Sequence, residues 1–155
     1  MAVSETAGLH INDIILDEDI SYINLTPHPW RSVKTKGSQR QIPLVGVLLW
    51  AAQRIKSNPH HTLAFPRYNA TSTTNANSAS AAINKWLKPK VPEGCVIHSF
   101  RYSLRDRLRA VRHPSDMVDQ IGGWSTAGVG QAYGEGYTIE RKWNWMRSVM
   151  KITVN

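Results

Sequence analysis

Ile97-His98-Ser99-Phe100-Arg101-Tyr102-Ser103-Leu104-Arg105-Asp106-Arg107-Leu108-Arg109-Ala110-Val111-Arg112 decides how this chain is read. Ile97, Phe100, Leu104, Leu108 and Val111 recur at three- and four-residue intervals, the period of one helix face, and are expected to face a core. His98 and Arg101 stand three apart and are therefore neighbours on the adjacent face, which Arg105, Arg109 and Arg112 continue. An imidazole and a guanidinium projecting together from near a helix N-terminus can cradle a phosphate. Arg supplies two parallel donors, His one more, and the helix end a favourable dipole. A His-x-x-Arg pair taken alone is more often surface decoration or a satisfied structural histidine.

Upstream, Ser78 to Leu87 reads as an amphipathic helix stopped near Pro89 and Pro92. Ala70 to Asn77 is a polar segment, either a mobile loop or a helix approach, and Thr62 to Pro66 a short extended piece. Val45 to Ile55 has apolar residues at helical spacing and is ended by Ser57 to His61, which contains Pro59. Before it the period changes. Ile20 to Leu25 is β-rich and partly alternating, which predicts a strand that Pro27 and Pro29 interrupt. Trp30 to Lys36 and Arg40 to Leu44 form a hairpin around Lys36-Gly37-Ser38-Gln39. Val3 to Leu9 reads as the end of a helix and His10 to Asp19 as its exit into an acidic loop. Downstream, Ser115 to Ile121 is a helix with Ser115 as N-cap. Gly122-Gly123 break the chain, a short helix leads to Tyr133, and a final helix runs from about Thr138 to Met150. The expected fold is α+β and mainly helical, with a small three-stranded antiparallel sheet packed on a helical bundle. No repeat divides the 155 residues, which read as one domain with a C-terminal helix and tail over Thr138 to Asn155.

Composition narrows the classes. Hydrophobic residues make up 41% and charged residues 19%, a globular balance. No apolar run is long enough for a bilayer, and the N-terminus lacks a signal-peptide layout. Cys95 is the single cysteine, which rules out an intrachain disulfide and a cysteine-rich zinc site and points to a reducing, cytoplasmic setting. The net charge is +8, unevenly spread. Through Pro29 there are five acids (Glu5, Asp13, Asp17, Glu18 and Asp19) and no Lys or Arg, and from Trp30 onward nineteen bases face six acids. Between Lys85 and His113 eight bases stand against Glu93 and Asp106. Such a concentration attracts a polyanion, because each neutralised phosphate releases counterions. A solvated basic surface with no partner is the bland alternative.

Two further motifs carry chemistry. Ile121-Gly122-Gly123-Trp124 is followed nine residues later by Tyr133. A phenol, with a pKa near ~10, becomes a useful nucleophile when cationic donors surround the phosphate it attacks. Lys34-Thr35-Lys36-Gly37-Ser38-Gln39-Arg40-Gln41-Ile42-Pro43-Leu44 places Lys36 at a hairpin tip, where an ammonium can protonate a leaving oxygen. Ordinary core aromatics and a surface lysine would explain each motif in isolation. His60, His61 and His113 show no ligand spacing with carboxylates, so no metal is expected.

Taken in order, Lys36 ahead of Arg40-x-Ile42-Pro43-Leu44, His98-x-x-Arg101, Gly123-Trp124 and Tyr133 resemble the tyrosine recombinase and phage integrase family, in its C-terminal catalytic domain. The similarity spans nearly the whole chain, since Val3 to Leu9 also resembles the helix that opens that domain. It implies a bacterial or phage-encoded enzyme of site-specific DNA recombination and integration. Tyr133 would form a 3′-phosphotyrosyl link, with Arg101, His98 and Trp124 on the phosphate and Lys36 as general acid. Lys34, Arg40 and Arg105 would contact the DNA. No cofactor is implied. The partners are double-stranded DNA and a homo-oligomer formed through the C-terminal helix, without a membrane. Tyr137 is the rival nucleophile, but its spacing of thirteen from Trp124 fits poorly.

The pattern departs from the family in two places. The first catalytic arginine, three residues before the acid Glu5, falls at Ala2; either it is replaced or the sequence begins just past it. The N-terminal DNA-clamping domain is also missing from these residues. This polypeptide is therefore expected to bind DNA weakly and cleave poorly. A non-catalytic DNA-binding or regulatory module with a recombinase-like fold is the main alternative, and a type IB topoisomerase-like relaxase the second.

Overall fold

A computed structural model describes residues 1–33, 38–58, 61–124 and 136–150. A short helix α1 (Val3–Ala7) opens the fold, with the Glu5 carboxylate accepting from the Ala2 backbone N–H at 2.7 Å. Strands β1 (Ile14–Ile15), β2 (Tyr22–Leu25) and β3 (Arg40–Pro43) follow and pair antiparallel in that order. Ile14 faces Ile23 and Ile23 faces Ile42, so one row of isoleucines crosses all three strands. Each of the three is buried, the cross-strand contact that gives a small sheet its stability.

The expected three-stranded sheet is present, but its membership differs. The third strand is Ile14–Ile15, from the segment read as an acidic loop, and no strand forms over Trp30 to Val33. The reason is local. His28 and Arg31 exchange both backbone hydrogen bonds in a tight turn, at 2.9 and 3.0 Å. Pro27 and Pro29 have no N–H to give a ladder. Arg31 then turns inward, donating to Asp13 at 2.9 Å and to the Gly8 carbonyl at 3.1 Å.

Helix α2 (Val47–Lys56) packs beside the sheet through Ala52, Leu49 and Ile55. The segment read as a loop or helix approach holds a two-residue hairpin, β4 (Asn69–Ala70) with β5 (Thr73–Thr74). Asn75 caps α3 (Ala76–Leu87) by accepting from the Ser78 N–H at 2.9 Å. Helices α4 (Ser99–Ala110), α5 (Ser115–Gly122) and α6 (Ile139–Met150) complete the described chain. Pro114, not Ser115, stands at the N-cap of α5, and its carbonyl accepts from Met117 and Val118. Phe100, expected in the core, is 56% exposed. Helix α4 meets its neighbours through Leu104, Leu108 and Val111, and its first turn projects past them.

Two apolar clusters result. One lies on the sheet, with Leu9, Ile14, Ile23, Leu25, Ile42, Leu44 and Ala52. The other joins α4, α5 and α6 through Leu108, Met117, Ile121, Met146 and Val149. Leu44 belongs to the first and Val45 to the second, since successive residues of an extended chain point to opposite sides. Helices α5 and α6 both pack on β3, which brings the sheet to the basic helix. No described helix is long and apolar enough to cross a membrane.

Candidate functional site

Arg40 stands where α1, β3 and the end of α5 meet, and it is buried. Its Nη1 and Nη2 bind the two carboxylate oxygens of Glu5 at 3.2 and 3.0 Å. Nε donates to the Ile121 carbonyl at 3.2 Å, while the remaining N–H groups reach Ser38 and Gly122 carbonyls at 2.6 and 3.4 Å. All five guanidinium donors are therefore used. This corrects the expectation that Arg40 touches DNA: it is an internal tie with no donor left for a ligand. Two of its acceptors are carbonyls at the C-terminal end of α5, where a cation also complements the helix dipole.

The tie holds the Gly122-Gly123-Trp124 turn. Gly123 closes α5 in the left-handed conformation, with φ +67, and a Cβ there would lie 2.5 Å from the Arg40 guanidinium carbon. A Cβ on Gly122 would lie 1.7 Å from the Trp124 ring. Both glycines are thus required by close approach. The Trp124 N–H bonds the Asp119 carbonyl at 3.0 Å, and its indole folds back over Gly122 toward α4.

Two arginines of α4 lie on that indole. The Arg101 guanidinium carbon is 4.6 Å from the ring centroid and that of Arg105 is 5.1 Å away. Their electrostatic situations differ. Arg105 is ion-paired with Asp119 at 3.2 Å, and Asp119 is buried. This restrains Arg105, the second expected DNA contact, although it stays about one third exposed at 32%. The Arg101 guanidinium forms no hydrogen bond or ion pair among the described residues. Burial pulls it below its ordinary value, the Glu5 charge opposes this and Arg40 adds to it. A guanidinium remains charged under such influences. Arg101 therefore keeps its donors for an outside anion.

His98 precedes the first turn of α4 and is exposed, its ring edge-on to Tyr102 at 5.3 Å. The structure thus brings Arg101, Arg105 and Trp124 together, with His98 one helical turn from Arg101. Lys34, Lys36 and Tyr133 lie outside the described residues, as does the helix expected before Tyr133. The rival Tyr137 donates its hydroxyl to Asp116 at 2.8 Å. That bond, with burial and the Asp116 charge, raises it above its ordinary value, which suits a packing residue better than a nucleophile. His113 bonds Ser148 at 3.1 Å and packs on Trp145, a structural histidine.

Sequence reasoning missed Asp119 as the partner of Arg105, Tyr102 beside His98, and the inward role of Arg40. The last had a signal: Arg40 shares strand parity with the apolar Ile42. No protein-family model, curated protein or solved structure matched this chain in the three comparisons made with known proteins.

Proposed function

We propose that this chain is the catalytic domain of a DNA strand-exchange enzyme of the tyrosine recombinase kind. The observation that carries the reading is the Arg101 guanidinium, laid on Trp124 with its donors unspent, where Arg31, Arg40 and Arg105 are each paired with a carboxylate. The site suits a phosphodiester. Arg101 would hold the non-bridging oxygens, with His98 and the indole N–H of Trp124 as further donors. The Tyr133 oxygen attacks phosphorus and passes its proton to His98, and the bond to the 5′ oxygen breaks as Lys36 supplies a proton. One phosphoester replaces another, so rejoining the strand needs no outside energy source.

Ala2 stands where the family has its first arginine, and a missing charged donor of this kind costs ~10²–10³ in rate. A duplex nicked beside the cleavage point traps the covalent adduct and tests the reading. The expected result is little adduct from the unaltered chain, a gain of that size for Ala2→Arg, and none for Tyr133→Phe in that background, with DNA affinity kept. Adduct surviving Tyr133→Phe would exclude this nucleophile. Ala2 also favours a second reading, a DNA-binding module without catalysis, which predicts salt-dependent duplex binding and no adduct from any of these variants. In this structure α6 packs on β3 and α4 of its own chain. Light scattering over a concentration series tests the oligomer expected through that helix.

A further inference from the structure

Leu104, Leu108 and Val111 of α4 join the apolar cluster with α5 and α6. Phe100 and Tyr102 do not follow them, being 56% and 59% exposed. Both sit in the first turn of the helix, immediately before and after Arg101. Successive helical residues are turned by about 100°, so the two rings flank the Arg101 guanidinium on nearly opposite sides of the helix. The Tyr102 and His98 rings meet at 69° with centroids 5.3 Å apart, so they are not stacked face to face.

A lone surface aromatic is ordinary. These two stand in a field of one sign, since between Ser99 and Ala110 four arginines (Arg101, Arg105, Arg107 and Arg109) oppose only Asp106. A polyanion is the complementary partner, and aromatic rings interleaved with cations suit a nucleic-acid strand whose base faces are accessible. Paired bases would not serve. In a duplex the bases of one strand are stacked about 3.4 Å apart, which covers their faces. A helix with its side chains is about 10–12 Å across, roughly three times that spacing. With a phosphate on Arg101, both rings are reached only by bases that have left the stack.

We propose that Phe100 and Tyr102 are stacking platforms for the unpaired nucleotides on either side of the phosphate at Arg101. This rests on the strand-exchange reading above and names the form of DNA that the site takes, a duplex opened at the cleavage point. Stacking on the two rings offsets part of the base stacking lost on opening.

The test titrates the full chain, at low salt and by fluorescence anisotropy, into a matched duplex and into the same duplex carrying three central mismatches. The unaltered chain should prefer the mismatched duplex. Phe100→Ala and Tyr102→Ala should each reduce that preference about fivefold or more, the size of one lost base–aromatic stack. Tyr102→Phe should keep it, as should Trp50→Ala, which removes an exposed ring of α2 that lies beneath Arg54. The salt slope should be unchanged, because no cation is removed. Melting temperatures are measured in parallel, and Phe100→Leu and Tyr102→Leu are read in the same way if an alanine variant does not fold. An unchanged preference in either variant, or equal losses on both duplexes, would overturn the proposal; equal losses are also what a role in holding His98 predicts. Rings kept for a protein partner predict an unchanged preference. The Tyr133-dependent adduct scores the enzyme reading separately. Adduct with an unchanged preference overturns the platforms alone, and a ring-dependent preference without adduct from Ala2→Arg removes the enzyme alone. If neither duplex binds, a single-stranded oligothymidine decides. Binding that needs Phe100 and Tyr102 supports the platforms, and no binding refutes them.

Discussion

Replacing Glu5 by Gln puts the Arg40 tie under direct test. The substitution keeps the shape of the side chain, removes the charge, and sets an NH₂ against one of the two guanidinium donors now bound at 3.2 and 3.0 Å. Arg40 and Glu5 are 4% and 12% exposed at their side chains, so water cannot replace the lost contact. Breaking a buried pair from one side typically costs ~3–5 kcal/mol, because the other charge stays buried. The three carbonyl acceptors of Arg40 survive, which places the expected loss at the lower end, about 3 kcal/mol. At a urea slope of about 2 kcal/mol per molar, the midpoint should fall by roughly 1.5 M, followed by tryptophan fluorescence. Acid should act in the same direction. Burial raises the Glu5 carboxyl, and the hydrogen bonds and charge of Arg40 outweigh it, so the folded value lies below the ordinary 4.5. A carboxylate depressed on folding contributes stability above its unfolded value, and that stability is lost as pH falls from about 4.5 through the folded value. Glu5→Gln should flatten this part of the stability profile. Replacing both partners, as Glu5→Leu with Arg40→Met, should cost less than the two single changes added together. A loss under about 1 kcal/mol for Glu5→Gln, with the acid profile unchanged, would refute the claim that this pair joins α1, β3 and α5.

Three other outcomes follow from the geometry. Gly122→Ala should displace the Trp124 ring, cost ~1–3 kcal/mol as an overpacked contact, and shift tryptophan emission; an unchanged spectrum and melting temperature would count against the folded-back indole. Arg112 holds φ 57 just after α4, so Arg112→Gly should relieve about 1 kcal/mol of backbone strain and raise the melting temperature by about 2–4 °C in calorimetry. His113 is lowered below 6.5, chiefly by burial, with a Trp145 backbone contact opposing. Its contribution to stability should therefore be present above pH 6.5 and decline as pH falls through the lower folded value, a decline that His113→Gln removes in urea titrations.

The helical part of the fold was legible because an amphipathic helix repeats its pattern over several turns. The α4 stripe of Leu104, Leu108 and Val111 packs as its spacing predicts. Phe100 breaks the expectation because period alone does not say where a neighbouring helix ends. The sheet was harder. Two isoleucines suffice for β1, too few to show alternation, while the longer stretch around Trp30 is diverted by its prolines and by Arg31 turning toward Asp13. In the site, the approach of Arg101 to Trp124 joins residues far apart in sequence, and the ordered motif placed them in one frame. The family resemblance implies Arg40 as a DNA contact, whereas its strand parity with the apolar Ile42 points it inward.

The step from Leu44 to Val45 makes chain length critical at one point. These two adjacent residues feed different clusters, so one inserted residue after Pro43 would reverse which side each supplies. Gly46, with φ 51, follows at once, and the Met150 side chain fills the space where its Cβ would stand, which leaves no slack to absorb the slip. Insertions should be tolerated in the solvent-exposed stretch between Lys88 and Val96, whereas the link from β3 to α2 should hold a constant length wherever this fold occurs.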